Sequence, residues 1–208
     1  MKKKKNVKQK FSLEKIEKLV NFLLEFRILK HLPRASLSYL KGPLKENVAE
    51  HSFYTAIIGW ILAKLETANE NKILKMCLIR NLVKARGGER NLINKFYSQP
   101  LNDPKIIEEI SKNYQLEEFS LEKLFKEFYA EKTLEAKLVK DADILAGMLL
   151  EKEGFNLGNQ KAKKWLTVSL NRLKTKKARQ FGEQLIKTDS DEWWLELVNK
   201  YVLETKFL

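Results

Sequence analysis

Apolar residues recur at helical spacing along almost the whole of this chain, and that periodicity restricts the fold more than any other feature. Behind Ser12, a suitable helix N-cap, four apolar residues fall on one helix face: Ile16, Leu19, Val20 and Leu23. Few windows alternate apolar and polar residues with the period of two that a strand requires. Helix breakers are also scarce, with 8 Gly and 4 Pro in 208 residues. The pattern predicts an all-α protein.

The breakers that do occur divide the chain into helices of ordinary length. The predicted helices have the approximate bounds 12–30, 46–66, 70–86, 103–113, 121–130, 133–153, 159–175 and 177–203. Gly87 and Gly88 form a natural C-cap for the third of them. The chain shows no internal repeat and no interdomain linker. We therefore predict one helical bundle over residues 12–208, preceded by a disordered basic arm over residues 1–11.

The net charge of +13 raises the question of nucleic-acid binding. Lysines outnumber arginines 33 to 7, and six of the lysines lie in the first ten residues. Arginine is the more usual residue for recognising phosphates and bases, so the excess is more typical of a solvated surface. A nucleic-acid-binding protein that uses the arm and the basic segment 161–179 is kept as an alternative, although the apolar positions of that segment favour packing onto the bundle.

Several other classes of protein are not favoured by the sequence. Cys77 is the only cysteine, which excludes an internal disulfide and a cysteine zinc cluster, and its apolar context predicts a buried thiol. No segment is apolar enough over about 20 residues to span a membrane. The lysine run at the N-terminus has no hydrophobic stretch directly behind it, so it is not a secretory signal. We expect a cytoplasmic protein.

Three groups of polar residues interrupt helices that are otherwise apolar. They are Glu50 with His51, Arg80-Asn81 with Lys84, and Asp141 with Asp143. Charged groups on core helices are costly unless they are paired or bind a ligand. The three helices are therefore expected either to bring these groups to one polar site or to direct each of them to solvent at a helix end.

The segments that carry these residues resemble a known family. "LKHLPR", "ENVAEHSFYTAIIGWILA", "KMCLIRNLVKARGGE" and "EAKLVKDADILAGMLL" are together similar to the HD-domain 5'-nucleotidases, which hydrolyse deoxynucleoside monophosphates. The resemblance covers residues 29–150, about three-fifths of the chain. It implies an HD-domain helical bundle over 12–208 and, in the family, a divalent metal ion (Mn, Co, Mg or Zn).

The resemblance also implies the metal ligands, and this chain keeps only some of them. By position, the first ligand is His51 and the last is Asp143. The adjacent His-Asp pair of the family falls on Arg80 and Asn81. Arginine has no lone pair to donate, and asparagine offers only a neutral carbonyl oxygen. A catalytic site normally needs three protein ligands, so we expect no bound metal in this chain.

Among the neighbouring positions of the family's site, one acidic residue is replaced by a basic one and two functional residues are kept. A glutamate of the catalytic helix falls on Lys84, whereas the acidic group of the family's Gly-Asp step is kept as Glu89, the candidate catalytic position. The phosphate-contacting arginine is kept as Arg34, and Leu37 replaces the aromatic residue that usually follows it.

Three interpretations of this altered site remain open. Arg80 and Lys84 lie four residues apart and can reach the same volume, so they could pair with Asp143 and Glu89. With Arg34 they could also bind the phosphate of a nucleoside monophosphate or another small ligand, giving a nucleotide-binding pseudoenzyme. The alternatives are a purely structural ion-pair cluster and a residually active phosphatase.

The tryptophans lead to two further expectations. Trp60 lies in the most apolar helix and is expected in the core. Trp193-Trp194 in the last predicted helix places at least one indole outward, which makes a homodimer contact an alternative there.

Overall fold

The computed structural model describes residues 12–40 and 45–205, and this part of the chain is all-α, with no strand. The α-helices are α1 (Leu13–Phe26), α2 (Val48–Leu65), α3 (Glu70–Ile79), α4 (Lys84–Gly87), α5 (Leu92–Tyr97), α6 (Asp103–Asn113), α7 (Leu121–Ala130), α8 (Leu134–Asn156), α9 (Gln160–Arg172), α10 (Lys176–Lys187) and α11 (Glu192–Thr205). Short 3-10 helices cover Arg27–His31, Ala35–Tyr39 and Glu117–Phe119. The predicted all-α fold is confirmed. The predicted basic arm, 1–11, lies outside the described residues.

The helix predicted over 70–86 is wrong in its second half. α3 ends at Ile79 because the backbone then changes from hydrogen bonds four residues apart to bonds three apart: the N–H of Leu82 donates to Ile79 (2.9 Å) and that of Lys84 to Asn81 (3.0 Å). α4 is a single further turn, and Gly88 follows it with a positive φ of 74°, as the Gly-Gly pair predicts. The tighter turn carries Arg80 and Asn81.

Polar caps also divide the last third of the chain more finely than predicted. The helix expected over 159–175 ends at Arg172, since Thr175 accepts a bond from the backbone of Ala178 and caps α10. The helix expected over 177–203 is interrupted between α10 and α11, where the carbonyl of Asp191 accepts from the backbone of Trp194 (3.2 Å). α6 and α7 have the bounds that the sequence predicts.

α8 lies at the centre of the bundle, with α2, α3, α7, α9 and α10 packed around it. The main core joins these helices through fully buried side chains, among them Leu62, Ile73, Met76, Leu138, Leu145 and Met148. A second apolar cluster lies between α6, α7 and the turn after α3. Asp143 therefore projects from a helix whose other faces are almost entirely enclosed.

Within the described ranges, no helix is both long enough and apolar enough to cross a membrane.

Gly59 allows α2 and α3 to approach closely. A Cβ atom at this position would lie 2.7 Å from Sγ of Cys77. Cys77 is fully buried, as predicted, and burial raises the pKa of its thiol to about 12.

The expectation that Trp60 belongs to the core is wrong: the residue is 46% exposed, and its indole N–H donates to Glu70 (2.8 Å). The indole therefore contacts the first residue of α3 from an exposed position on α2.

Candidate functional site

Asp143 on α8 lies at the centre of a buried charged cluster. Its Oδ1 accepts from Nη2 of Arg80 at 2.5 Å and lies 2.6 Å from Nε2 of His51. Both partners are enclosed, since the His51 side chain is 0% and the Arg80 side chain 5% exposed. Three elements meet here: α2, the turn after α3, and α8. The sequence expectation that Arg80 could pair with Asp143 agrees with this geometry.

A second carboxylate, Glu46, lies on the opposite side of His51. Oε2 of Glu46 is 3.3 Å from Nδ1 of His51 and 3.4 Å from Nε of Arg34. These are ion-pair distances without the angles of a hydrogen bond, and all three atoms lack a hydrogen-bond partner among the described residues. A single antiparallel bridge between Pro33 and Asn47 holds this loop against the N-terminus of α2.

The third part of the cluster joins Arg34, Lys84 and Glu89. Arg34 Nη1 donates to Oε1 of Glu89 (3.2 Å), and Nζ of Lys84 lies 2.5 Å from Oε2. Both carboxylate oxygens of Glu89 are therefore engaged by cations. Lys84 and Glu89 meet because α4 is only one turn long and Gly88 reverses the chain directly after it.

The turn after α3 fixes the side chains of Arg80 and Asn81 against α2. Nη2 of Arg80 also reaches Oγ1 of Thr55 at 3.4 Å. Nδ2 of Asn81 donates to Oγ of Ser52 (2.7 Å), which donates in turn to the backbone carbonyl of Val48. These bonds satisfy polar groups that would be costly to bury alone.

Electrostatics differ between the two ends of the cluster. Burial alone would raise the pKa of Asp143, but Arg80, with smaller contributions from His51 and Arg34, outweighs it and holds that pKa well below its usual range. At Lys84, burial is the largest effect and lowers the pKa to about 8, against the opposing attraction of Glu89. Asp143 is thus ionised at neutral pH, and Lys84 titrates near pH 8.

A cavity of about 250 Å³ opens onto this cluster. The predicted site residues that line it are Arg34, Arg80, Asn81, Lys84, Glu89 and Asp143. His51 lies behind the wall, fully buried against Asp143. The cavity wall carries seven basic side chains (Arg34, Arg80, Lys84, Arg90, Lys95, Lys140 and Arg172) against five acidic ones (Glu46, Glu89, Asp103, Asp143 and Glu151). The structure thus brings together residues that the sequence places on four separate segments.

Two polar residues singled out in the sequence have structural roles elsewhere. Glu50 completes a capping box with Asn47 at the start of α2. Asp141 accepts from the backbone N–H groups of Lys174 and Thr175, each at 2.8 Å, and so joins α8 to the start of α10. The side chain of Leu37 lies outside the described part of the chain.

The sequence did not identify several other residues of the cavity. Glu46 gave no signal because an acidic residue at the start of a predicted helix is ordinary; in the structure it precedes α2. Glu151, Trp165, Ser169 and Arg172 lie on α8 and α9, beyond the segment that carries the family resemblance. Glu151 gave no signal either, because it opens the charged run Glu151-Lys152-Glu153 near the end of the helix.

The residues present do not fit a divalent metal ion. In ranges 12–40 and 45–205, no group of three or more His, Cys, Asp and Glu side chains is arranged to hold one. At Asp143, Oδ1 already contacts the guanidinium of Arg80, a cation that stays charged at any accessible pH and would repel a metal ion. Asn81 directs its amide nitrogen, a donor, to Ser52.

Comparisons with known proteins agree with this architecture. A model of the HD domain matches residues 26–186. A conserved hypothetical protein of Pyrococcus furiosus is 25% identical, with a TM-score of 0.65 and coverage of 81% of this chain and 99% of that one. The PH0347 protein of Pyrococcus horikoshii OT3 is 22% identical, with a TM-score of 0.64 and coverage of 81% and 98%.

A third solved structure carries a functional description. The predicted metal-dependent phosphohydrolase of Magnetospirillum magnetotacticum MS-1 is 20% identical, with a TM-score of 0.63 and coverage of 83% of this chain and 94% of that one. At this identity the likeness shows the fold. No curated protein sequence matches the chain. Because the HD-domain model covers most of its length, the chain belongs to the HD-domain family.

Proposed function

We propose that this chain is a relative of the HD-domain deoxynucleoside 5'-monophosphatases that has lost metal-dependent catalysis and binds a nucleoside monophosphate, or another small phosphate, in its cavity. The observation that carries the proposal is the contact of Arg80 with Asp143 at 2.5 Å. A fixed guanidinium occupies the position beside Asp143 where, by the family resemblance, a metal ligand would stand.

The contacts of His51, a metal-ligand position by the resemblance, and of Glu89, the candidate catalytic position, support loss of hydrolysis. His51 is fully buried, with one ring nitrogen on Asp143 and the other facing Glu46, so it is poorly placed to activate a water molecule. Glu89, the family's acidic position, has both oxygens occupied by Arg34 and Lys84. We derive no hydrolytic step from these residues.

The charge of the cavity supports a phosphate ligand. Arg34, Arg80 and Lys84 converge on one end, where guanidinium and ammonium groups can donate charge-assisted hydrogen bonds to phosphate oxygens. Arg34 and Lys84 share Glu89, and Arg34 also lies 3.4 Å from Glu46, but the cavity wall as a whole carries seven basic side chains against five acidic ones. The fold likeness to a predicted phosphohydrolase points to the same class of ligand.

Isothermal titration calorimetry with deoxynucleoside monophosphates tests the binding proposal. We expect saturable binding to the full chain and a loss of at least tenfold in affinity in Arg34→Met. Arg27→Met is the matched control because Arg27 is exposed and does not line the cavity. An absence of binding at millimolar ligand would contradict the proposal and leave the ion-pair cluster with a purely structural role.

Nucleic-acid binding is the alternative function, favoured by the net charge of +13. In the predicted basic segment, Leu166 and Leu173 are both 2% exposed and pack into the core, which leaves less of its surface for a partner. Retention of the chain on DNA or RNA that falls steeply with salt, and that is abolished by deleting residues 1–11, would favour this alternative.

Self-association is proposed through α11. Trp193 is 67% and Trp194 41% exposed, and five other apolar side chains of the helix are exposed as well: Leu195, Leu197, Val198, Tyr201 and Val202. A monomer rarely exposes so continuous an apolar surface. Light scattering should give the mass of a dimer for the full chain and that of a monomer for Trp193→Glu; a monomeric full chain would contradict the proposal.

A further inference from the structure

The cavity continues along α8 well beyond the charged cluster. Its α8 wall runs from Asp143 through Gly147 to Glu151. Eight residues of α-helix span about 12 Å. The far end is closed by Trp165, Ser169 and Arg172 of α9, whose spacing of four and then three residues places them on one helix face. The stretch of α8 that lines the cavity from Asp143 to Glu151 is therefore comparable in length to an extended nucleoside monophosphate.

Glu151 is the polar group at the far end. Its Oε1 accepts from Oγ of Ser169 at 2.9 Å, whereas Oε2 is buried and has no hydrogen-bond partner among the described residues. An unsatisfied buried acceptor is costly, so a ligand that donates an N–H there would be favoured. Burial raises the pKa of Glu151 to about 7, against the opposing effects of Ser169, Arg172 and Arg34.

The surroundings of Glu151 suit a flat ring. Trp165 contributes an indole to the wall, and the face of an indole can stack on any of the nucleobases. Gly147 on α8 leaves open space, since a Cβ atom there would meet nothing within 4 Å. Ile144 and Leu150 add apolar surface between the two ends. The far end thus combines a stacking surface, an apolar wall and one unsatisfied acceptor.

We propose that the α8–α9 end of the cavity is a nucleobase subsite, in which the base stacks on Trp165 and donates an N–H to Glu151. The inference rests on the proposed function, because the phosphate of the same molecule would lie at the Arg34, Arg80 and Lys84 end. Ser169 is a positioning residue, holding the Glu151 carboxyl through its other oxygen. The ligand class is a nucleoside monophosphate rather than a sugar phosphate.

Calorimetry on the full chain at pH 7 tests the subsite by comparing a deoxynucleoside monophosphate with deoxyribose 5-phosphate, which lacks the base. We expect the nucleotide to bind at least tenfold more tightly. Equal affinities would overturn the subsite and leave the proposed phosphate site standing. An absence of binding by either ligand would overturn both.

Three variants locate the effect. Trp165→Leu and Glu151→Met should each reduce the nucleotide's affinity advantage to less than threefold, and the uncharged change Trp165→Leu should leave the affinity for deoxyribose 5-phosphate unchanged. Glu151→Gln keeps an acceptor oxygen and should retain most of the advantage, which separates loss of the contact from loss of folding. The matched control is Glu153→Gln, on the exposed face of α8. An advantage that persists in Trp165→Leu and Glu151→Met would contradict the assignment of these residues.

Discussion

Nη2 of Arg80 lies 2.5 Å from Oδ1 of Asp143, on the same oxygen that His51 approaches to 2.6 Å. This contact links the turn after α3 to the central helix, and under the proposed function it is an ion pair at a position where the family resemblance implies a metal ligand. Breaking such a pair leaves one charge buried without a partner, which is costly, although the intact pair need not stabilise the fold by much.

Replacing Arg80 should destabilise the fold. For Arg80→Met we expect the free energy of unfolding to fall by about 3 kcal/mol, because Asp143 loses its main cation. The double variant Arg80→Met/Asp143→Asn should recover much of this loss. Chemical denaturation followed by circular dichroism measures both values. Lys112→Met, which removes the exposed partner of Glu108, is the control and should leave stability unchanged.

The Asp143 pair also predicts the behaviour of the chain in acid. Because the folded pKa of Asp143 lies well below its unfolded value, the pair contributes stability above about pH 4 that is lost as pH falls through the folded pKa. Arg80→Met should therefore move the midpoint of acid unfolding to higher pH. An unchanged midpoint would argue against a dominant effect of Arg80 on this carboxyl.

Phosphate affinity should weaken above the pKa of Lys84, which is about 8. The ligand phosphate is fully ionised well above about pH 6, so the loss would reflect deprotonation of the ammonium group. We expect calorimetry to show up to tenfold weaker binding per pH unit above pH 8, and Lys84→Arg to remove this dependence up to pH 9. A native affinity that stays constant to pH 9.5 would exclude Lys84 as a contact.

Deprotonation of Lys84 has the opposite effect on folding stability: it weakens phosphate binding but favours the folded state. Its folded pKa of about 8 lies below the unfolded value of about 10.4, so the unfolded chain binds more protons between these values and Lys84 makes stability rise with pH across that window. Denaturation measurements of stability and calorimetric measurements of phosphate affinity can therefore distinguish the two effects of Lys84.

Gly59 should tolerate no larger residue. In Gly59→Ala the new methyl group would lie 2.7 Å from Sγ of Cys77, so we expect a loss of about 1–3 kcal/mol in the free energy of unfolding. Gly147→Ala is the matched helical control, since nothing lies within 4 Å of its added Cβ atom. The double variant Gly59→Ala/Cys77→Ala should regain part of the loss; equal stability of Gly59→Ala and the native chain would contradict this packing.

The sequence predicted the fold class and most helices because apolar periodicity and caps are local signals. It missed the break after Ile79, since the change to bonds three residues apart depends on packing of Arg80 and Asn81 against α2. It anticipated the pairs of Arg80 with Asp143 and Lys84 with Glu89 from spacing and family resemblance. It did not anticipate Glu151 and Trp165, because only the tertiary packing of α9 on α8 brings them to the cavity.

The most direct test of the central claim is phosphatase activity toward deoxynucleoside monophosphates, with Mn, Co, Mg or Zn, in the native chain and in Arg80→His/Asn81→Asp/Lys84→Glu. The triple variant replaces two fixed cations and an amide with an imidazole and two carboxylates beside His51 and Asp143. We expect metal-dependent hydrolysis, accompanied by bound metal, in the triple variant alone. Equal metal-dependent activity in the two proteins would contradict this expectation.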